Sequence, residues 1–477
     1  MTTATLPAPP PAGTARKSPY RLRWVVAAVV LAANVMDLLD ATIVNVAAPS
    51  IHRELGGGAS TIQWLSAGYT LAFAVLLIAG ARLGDILGRR RMFLVGSAGF
   101  TLTSAACAIT PTIGVLLALR VLQGAFGALM IPQGFGLMKE VFTDQAEFNK
   151  ALGLFGPATG VALLAAPVLA GALIDWNLWD TGWRLVFLIN VPIGALALPL
   201  ALRSLPRGAS HPNLKLDLAG VGLVGVALVA IIYPLIQGRT DGWPAWSFAM
   251  LAAGALLLVG FLLHERRSKN PLIEPSLLTN GTYLSGTAVA LALFGAFGGL
   301  LLCVSLYGQL GEGWSPIEAG LTLTPMIVGM ILGMLGSMAL VKRLQRHLLH
   351  IGIVLIAAGA VGLALILTGP SASSWDLVPG LFFIGMGLGA SIGQLFRFVL
   401  TSVTMDEVGS ASGVFEAVQQ LSTALGVAVL GTVFFATFAN HLATDALRVT
   451  AWACLVPLAA AFILVFRLPM HPREEAE

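Results

Sequence analysis

Long runs of apolar residues, separated by short polar connections, follow one another along almost the whole chain. The hydrocarbon core of a membrane is about 30 Å thick, and an α-helix of about 20 apolar residues crosses it. Fourteen such runs can be placed without overlap, at residues 24–46, 61–81, 92–110, 112–138, 149–174, 183–203, 217–237, 246–264, 283–309, 318–341, 348–368, 377–400, 410–437 and 446–467. The pattern therefore predicts an all-α membrane protein with fourteen transmembrane helices.

The composition indicates that lipid is the main solvent of this chain. Of the 477 residues, 57% are apolar and 10% are charged, whereas soluble domains have about 25% charged residues. The net charge of +4 does not indicate a nucleic-acid partner, because Lys and Arg occur in short runs between the apolar segments. That arrangement is typical of residues that orient a protein in a membrane.

Alternate connections differ sharply in their content of Lys and Arg. With the N-terminus placed in the cytoplasm, the cytoplasmic set holds 22 of the 27 Lys and Arg residues, the opposite set holds four, and Arg120 lies within a span. Because positive residues favour the cytoplasmic side, both termini are predicted to face the cytoplasm. The opposite connections carry the tryptophans expected at a membrane interface, namely Trp176, Trp179, Trp183, Trp243, Trp246, Trp314 and Trp375.

The helices are predicted to form two related halves. Segment 80–96 joins the second span to the third, and it has a degenerate copy at 336–352 with glycines at the same spacing. Duplicated halves around a central site are a transporter architecture. The expected division is 1–23 for a disordered cytoplasmic tail, 24–203 for a six-helix bundle, 204–282 for two linker helices with their loops, 283–467 for a second six-helix bundle and 468–477 for a cytoplasmic tail.

Four segments together resemble a known family. They are Leu39–Pro49 in the first predicted span, Gly80–Arg91 in the second connection, Leu119–Gly124 in the fourth span and Trp183–Gly194 at the start of the sixth. They resemble the major facilitator superfamily and, within it, the fourteen-span drug:proton antiporters, over nearly the whole chain after residue 23. The resemblance implies two six-helix bundles with two linker helices, and proton-driven export of amphipathic or cationic compounds by alternating access.

Ionisable residues occur inside several predicted spans. An ionised side chain there costs roughly 2.5–3.5 kcal/mol on insertion scales, so each one needs a partner, water or a change of protonation. Asp37 and Asp40 lie in the first span, Arg120 in the fourth and Glu416 in the thirteenth. All four are candidates for proton coupling, and Glu416 is a candidate for substrate binding as well. Asp40 matches the family motif, and the resemblance implies proton coupling at Asp40 with a relay role for Arg120. The same four residues are also compatible with structural hydrogen bonds or an ion pair.

The basic connection after the second span has two interpretations. Its positive charge fixes topology. The resemblance implies in addition a gate, in which Asp85 pairs with the arginines and with a helix N-terminus of the other half, where the helix dipole favours a carboxylate. The residues assigned to this gate are Arg82, Gly84, Asp85, Gly88, Arg89 and Arg90. In the second copy Val341 replaces the aspartate, so a latch there is expected to be weaker or absent.

Small residues dominate the fifth predicted span. Gly156 and Gly160 have the spacing that lets helix backbones approach closely. The residues that resemble the antiporter motif of exporters are Gly156, Gly160, Pro167 and Gly171. Ala166 and Ala170 stand where glycines are usual in that motif, which leaves the direction of transport open.

Other polar residues within the spans are candidates for the substrate path. They are Asn34, Asn45, Gln123, Gln394, Arg397, Gln419 and Gln420. For each of them, hydrogen bonding between helices is the alternative. The protein is expected to act on small molecules as a monomer.

No constellation typical of an enzyme is present in the sequence. The seven histidines show no metal-ligand spacing, and no Gly-rich loop followed by Lys and Ser or Thr offers an ATP site. We therefore predict no metal and no cofactor, and transport driven by a proton gradient. Three alternatives remain, namely uptake or exchange of a metabolite on the same scaffold, a non-transporting membrane sensor and, more remotely, a membrane enzyme.

Overall fold

A computed structural model describes residues 20–207, 215–268, 270–404 and 407–470. These residues form fourteen helices long and apolar enough to cross a membrane, as the sequence predicts, and no strand. Most of both predicted tails lies outside the described residues. In chain order the helices are α1 (Arg23–Leu55), α2 (Ala59–Leu87), α3 (Arg89–Ile109), α4 (Ile113–Val141), α5 (Phe155–Trp176), α6 (Gly182–Ser204), α7 (Leu218–Gln237), α8 (Ala245–Glu265), α9 (Gly281–Gly311), α10 (Pro316–Leu344), α11 (His347–Ile366), α12 (Ser374–Leu400), α13 (Val408–Phe438) and α14 (Ala443–Val465).

Two of the predicted boundaries are wrong. Helix α1 continues to Leu55 rather than ending near residue 46, and it contains Pro49. The predicted fifth span at 149–174 is divided into a short helix, Gln145–Gly153, and α5. Glycine is a poor residue for a helix interior, and the division follows Gly153.

The fourteen helices are arranged as two six-helix bundles, α1–α6 and α9–α14, with α7 and α8 as the linker pair. Within the first bundle α2 packs against α4 and α1 against α5, and within the second α10 packs against α12 and α9 against α13. Between the bundles, α2 packs against α13 and α5 against α10. Helix α7 packs beside α2 and α13, so the linker pair lies at the outer edge of that boundary.

The two ends of the helices define two faces of the molecule. The near face is the end at which α1 begins, at Arg23, and α2 ends, at Leu87. The far face is the end at which α1 ends, at Leu55, and α2 begins, at Ala59. In the predicted topology the near face is cytoplasmic.

The predicted internal repeat corresponds to equivalent contacts in the two bundles. At the near face, Arg90 donates from Nη2 to the carbonyl oxygen of Leu202 at the end of α6, at 2.7 Å. In the second bundle, Arg346 donates from Nη1 to the carbonyl oxygen of Leu468, just beyond α14, also at 2.7 Å. Each half therefore uses an arginine after its second helix to hold the end of its sixth.

Most of the tryptophans predicted at a membrane interface lie at the far face, but one does not serve that role. Trp176, Trp179 and Trp375 are largely exposed, whereas Trp183 is 1% exposed. The indole of Trp183 donates to Glu54 Oε2 at 2.7 Å. The interfacial assignment of Trp183 is thus wrong, because it packs inside the bundle and joins the start of α6 to the end of α1.

Candidate functional site

A buried ion pair joins α1 to α4 in the centre of the first bundle. The Arg120 guanidinium donates from Nη1 to the Asp40 carboxylate, and both side chains are essentially inaccessible. Arg120 also donates from Nε to the carbonyl oxygen of Leu65 at 3.2 Å, and its guanidinium lies 4.4 Å from the centre of the Tyr69 ring. The hydrogen bonds and the aromatic face stabilise the guanidinium in its charged form.

The other Asp40 oxygen accepts hydrogen bonds from two amides. Gln123 Nε2 donates to Asp40 Oδ1 at 2.8 Å, and Asn190 Nδ2 donates to the same oxygen at 3.0 Å. Both amides also contact the hydroxyl oxygen of Ser104, at 3.2 Å and 3.0 Å. Asp40 is therefore hydrogen-bonded by donors from α4 and α6, and Ser104 of α3 contacts both amides.

Asp37, one turn earlier on α1, has different surroundings. Its Oδ1 accepts a hydrogen bond from the Tyr69 hydroxyl, and it forms no ion pair with any described residue. The side chain is 5% exposed. Gly127 of α4 borders it, since a Cβ atom at that position would lie 3.2 Å from Asp37 Oδ1. Asp37 is thus a buried acid with one hydroxyl donor and no cation.

Glu416 brings a second acid to this region from the other bundle. It lies on α13, is partly exposed, and accepts a weak hydrogen bond from Gln419 Nε2 at 3.4 Å. Its neighbour Ala417 is buried in the apolar cluster that includes Met36 and Tyr69 of the first bundle, so this part of α13 lies at the bundle boundary. Glu416 is therefore a second acid at this boundary that forms no ion pair with any described residue.

The predicted substrate-path residues divide into two groups. Asn34, Gln419 and Gln420 are partly exposed beside these acids on α1 and α13, and Arg397 is partly exposed on α12. The remaining three are buried, namely Asn45, Gln123 and Gln394. Gln123 belongs to the Asp40 network, and Gln394 donates to Ser337 Oγ at 3.3 Å. For these two the structure favours hydrogen bonding between helices.

Polar contacts between the two bundles lie toward the far face. Gln63 of α2 is fully buried and donates to the carbonyl oxygens of Val427 and Ala428, both at 3.1 Å. Gln309 of α9 donates to the carbonyl oxygen of Val46 at 2.8 Å. These contacts close the far face of the described chain.

Helices α5 and α10 meet at the same face through glycines. A Cβ atom on Gly171 would lie 2.4 Å from Ile317 Cα, and one on Gly320 would lie 2.3 Å from the carbonyl oxygen of Pro167. The backbone N–H of Ile317 donates to Asp175 Oδ2 at 3.0 Å. Gly171 and Pro167 of the predicted motif therefore lie at the bundle boundary. Gly160 has no atom within 4 Å of such a position, and Gly156 lies in the first turn of α5.

The predicted gate residues at the near face contact one another within the first bundle. Arg89 Nη2 donates to Asp85 Oδ1 at 3.1 Å, and Arg89 Nη1 lies 3.9 Å from Glu140 Oε1. Gly88 ends α2 with φ of +95°, a conformation that favours glycine. Gly84 packs against the side chain of Gln133, and Arg82 is partly exposed. No described hydrogen bond or ion pair joins Asp85 to the second bundle, so the predicted latch is not formed in this conformation.

Sequence reasoning missed Tyr69, Ser104 and Asn190. Asn190 lies in the segment that resembles the family, and an amide inside an apolar span is a usable signal. Ser104 carries no comparable signal, because serine hydroxyls in helices often bond to their own backbone, and Tyr69 carries none because tyrosine is a common residue in membrane helices. No group of three His, Cys, Asp or Glu side chains in the described part of the chain is placed to hold a metal ion.

Comparison with known sequences decides the family. The sequence model of the Major Facilitator Superfamily matches residues 30–225 and 216–427. The chain belongs to this superfamily. It is accordingly a membrane-embedded transporter of small molecules rather than an enzyme.

Among curated relatives, a probable actinorhodin transporter of Streptomyces coelicolor is 48% identical over 90% of this chain and 75% of that protein. The puromycin resistance protein pur8 of Streptomyces alboniger is 35% identical over 91% of this chain and 86% of that protein. The multidrug resistance protein Stp of Mycobacterium tuberculosis is 34% identical over 84% of this chain and 74% of that protein.

Solved structures share the fold at low sequence identity. A bacterial homologue of the human lysosomal transporter Spinster matches with a TM-score of 0.66 and 17% identity, over 96% of this chain and 100% of that chain. A POT family transporter in complex with 5-aminolevulinic acid matches with a TM-score of 0.68 and 14% identity, over 94% of this chain and 96% of that chain. These matches concern the fold alone.

Proposed function

We propose that this superfamily member is a proton-coupled antiporter that exports small-molecule antibiotics or drugs across the bacterial inner membrane, with its near face and both termini in the cytoplasm. The relatives named above support the substrate class, because their names concern antibiotic transport and resistance. The excess of Lys and Arg in near-face connections supports the orientation.

The observation that carries the proton coupling is the contrast between Asp37 and Asp40. Asp40 has an ion pair with Arg120 and hydrogen bonds from two amides. Asp37 has only the Tyr69 hydroxyl. An ionised carboxylate in such a place is costly, and binding a proton removes that cost. We therefore assign the exchanged proton to Asp37 and a fixed structural charge to the Asp40–Arg120 pair.

Glu416 supplies the acid that binds the substrate in this exchange. It belongs to the other bundle, lies at the bundle boundary and is partly exposed. A cationic group of a substrate that binds between Glu416 and Asp37 stabilises both as anions. Substrate and proton thus compete for one region, which is the condition for exchanging one for the other.

Transport follows by rocking the bundles around this site. With the far face closed, substrate enters from the near face and displaces the Asp37 proton into the cytoplasm. Opening the far face requires that the contacts of Gln63, Gln309 and Gly171 separate. Substrate then leaves as an external proton binds Asp37. The protein with protonated Asp37 returns to the conformation that is open at the near face. In the far-open state we expect Asp85 to form the near-face latch that is absent in the described conformation.

Reconstituted vesicles test the proposal. Vesicles with an acidic interior should accumulate ethidium, a permanently charged cation, when they contain the protein, and a protonophore should abolish the accumulation. Protein-free vesicles are the control for leakage. Accumulation that is indifferent to the gradient would contradict proton coupling, and increased rather than decreased drug content in expressing cells would favour uptake instead.

A further inference from the structure

A cleft at the near face, away from the bundle boundary, carries an unusual concentration of positive charge. It has a volume of about 410 Å³ and lies where α2, α3 and α6 end or begin. Its lining includes three arginines, Arg90, Arg91 and Arg207, and four large aliphatic residues, Leu87, Leu94, Val95 and Leu202. The cleft therefore combines a cationic part with an apolar wall.

The positive charge in this cleft is not neutralised by the protein. Within the described ranges, none of the three arginines forms an ion pair. Arg90 donates to the carbonyl oxygen of Leu202, and its buried Nε has no hydrogen-bond partner. The first turn of α3 contains no acidic residue. Basic side chains at a helix N-terminus are unfavourable because that end of the dipole is itself positive.

The apolar wall lies at the surface of the protein rather than in its core. Leu87 and Val95 are each 43% exposed, and Leu202 is 56% exposed, on helices long and apolar enough to cross a membrane. A small water-soluble anion would use the arginines and leave these side chains unoccupied. A ligand with a phosphate group and an acyl chain would use both parts of the cleft at once.

We propose that this cleft binds the phosphodiester headgroup of an anionic phospholipid, with the guanidinium groups of Arg91 and Arg207 on the phosphate and the first part of an acyl chain along Val95 and Leu202. Basic clefts beside the cytoplasmic ends of membrane helices suit such headgroups. A bound lipid would neutralise the charge of the first turn of α3 and tie the α2–α3 connection to the end of α6. The inference does not depend on the proposed proton coupling.

Native mass spectrometry of the full chain in detergent micelles tests the proposal. The probes are phosphatidylglycerol and phosphatidylcholine with identical acyl chains, and inorganic phosphate. We expect the wild type to retain one phosphatidylglycerol molecule in preference to phosphatidylcholine. A double variant, Arg91→Gln with Arg207→Gln, should bind phosphatidylglycerol about 10- to 30-fold more weakly, as expected for two surface arginines.

A matched control removes the same charge from the other half of the near face. Lys342→Gln with Arg343→Gln alters two exposed basic residues at the end of α10 that do not line the cleft, and it should leave lipid retention unchanged. Equal loss in both double variants would overturn the proposal, as would equal retention of the two lipids by the wild type. Competition by inorganic phosphate as effective as by phosphatidylglycerol would overturn the lipid assignment in favour of a free anion site.

Discussion

Two aspartates one turn apart on α1 have different hydrogen-bond donors around their carboxyl groups. Asp40 accepts from Arg120, Gln123 and Asn190, whereas Asp37 accepts from the Tyr69 hydroxyl alone. The sequence resemblance favours Asp40 as the proton carrier, whereas our proposal assigns the proton to Asp37, because Asp37 is buried and forms no ion pair with any described residue.

Breaking the buried ion pair should destabilise the protein strongly. Asp40→Asn leaves the Arg120 guanidinium buried without its counter-charge, and removing one partner of a buried pair costs about 3–5 kcal/mol. We expect a large fall in the midpoint of thermal unfolding of the purified protein. Asp445→Asn is the control, because its pair with Arg448 is partly exposed and such pairs contribute about 0–1 kcal/mol. Equal shifts in the two variants would contradict the assignment of a structural role to Asp40.

Glu416 should contribute to substrate affinity rather than to proton exchange. Glu416→Gln keeps the size of the side chain and removes its charge. We expect a permanently cationic substrate to bind about tenfold more weakly, equivalent to about 1.4 kcal/mol, while protons are still exchanged. Titration of binding by fluorescence at several pH values measures this, and an uncharged substrate serves as the comparison. An equal loss of affinity for both substrates would indicate a steric effect instead.

At the level of helices, two of the three motif glycines of α5, Gly160 and Gly171, have different environments. A methyl group on Gly171 meets the backbone of α10, whereas one on Gly160 meets nothing within 4 Å. Gly171→Ala should therefore separate α5 from α10 at the far face, with an overpacking cost of about 1–3 kcal/mol to the closed state. Spin labels at the exposed residues Trp176 and Leu321 should report a longer mean distance in Gly171→Ala and no change in Gly160→Ala. A longer mean distance in Gly160→Ala than in Gly171→Ala would contradict the described contact between α5 and α10.

The linker pair has its own pH-dependent anchor at the near face. Burial alone would raise the pKa of Asp217, but hydrogen bonds from the Gly220 N–H, His264 and Ser268 bring that pKa below its ordinary value of 3.8. A lowered pKa contributes stability that is present above the ordinary value and is lost as the pH falls through the lowered one. Glu265, which is buried, is the other acid in this cluster.

Asp217→Asn isolates the contribution of the charge, since asparagine keeps the capping oxygen at the start of α7. At pH 7 we expect the variant to be less stable by about 0.3–1 kcal/mol, the usual effect of an acid at a helix N-terminus. As the pH falls below 3.8, the difference between the thermal midpoints of wild type and variant should shrink, and it should vanish once the pH is below the lowered pKa of Asp217. A difference that persists or grows there would assign the effect to packing.

For the whole molecule, the sequence was sufficient to predict the helices, but it was not sufficient to predict which helices contact each other. About 20 apolar residues are needed per span whatever surrounds them, so all fourteen helices could be predicted. The donors to Asp40 come from α4 and α6, and the donor to Asp37 comes from α2, and nothing local in the sequence states which helices meet. Trp183 shows the same limit, because its partner Glu54 lies at the end of a different helix.

The closed far face and the unlatched near face describe one state of a two-state cycle. Gln63, Gln309 and Gly171 hold the bundles together at the far face, while Asp85 bonds only within its own bundle among the described contacts. Alternating access requires that these two sets of contacts form in turn. Conditions that protonate Asp37 without substrate should therefore change the distance between α5 and α10, measured by the same pair of spin labels.

Substrate-induced proton release is the most direct measure of the central assignment. Purified protein in weakly buffered solution with a pH indicator is mixed with a permanently cationic substrate, above and below the pH at which release begins. The wild type should release protons on binding, Asp40→Asn should do so wherever it remains folded, and Asp37→Asn should bind the substrate without releasing any. Proton release from Asp37→Asn equal to that of the wild type would contradict the account.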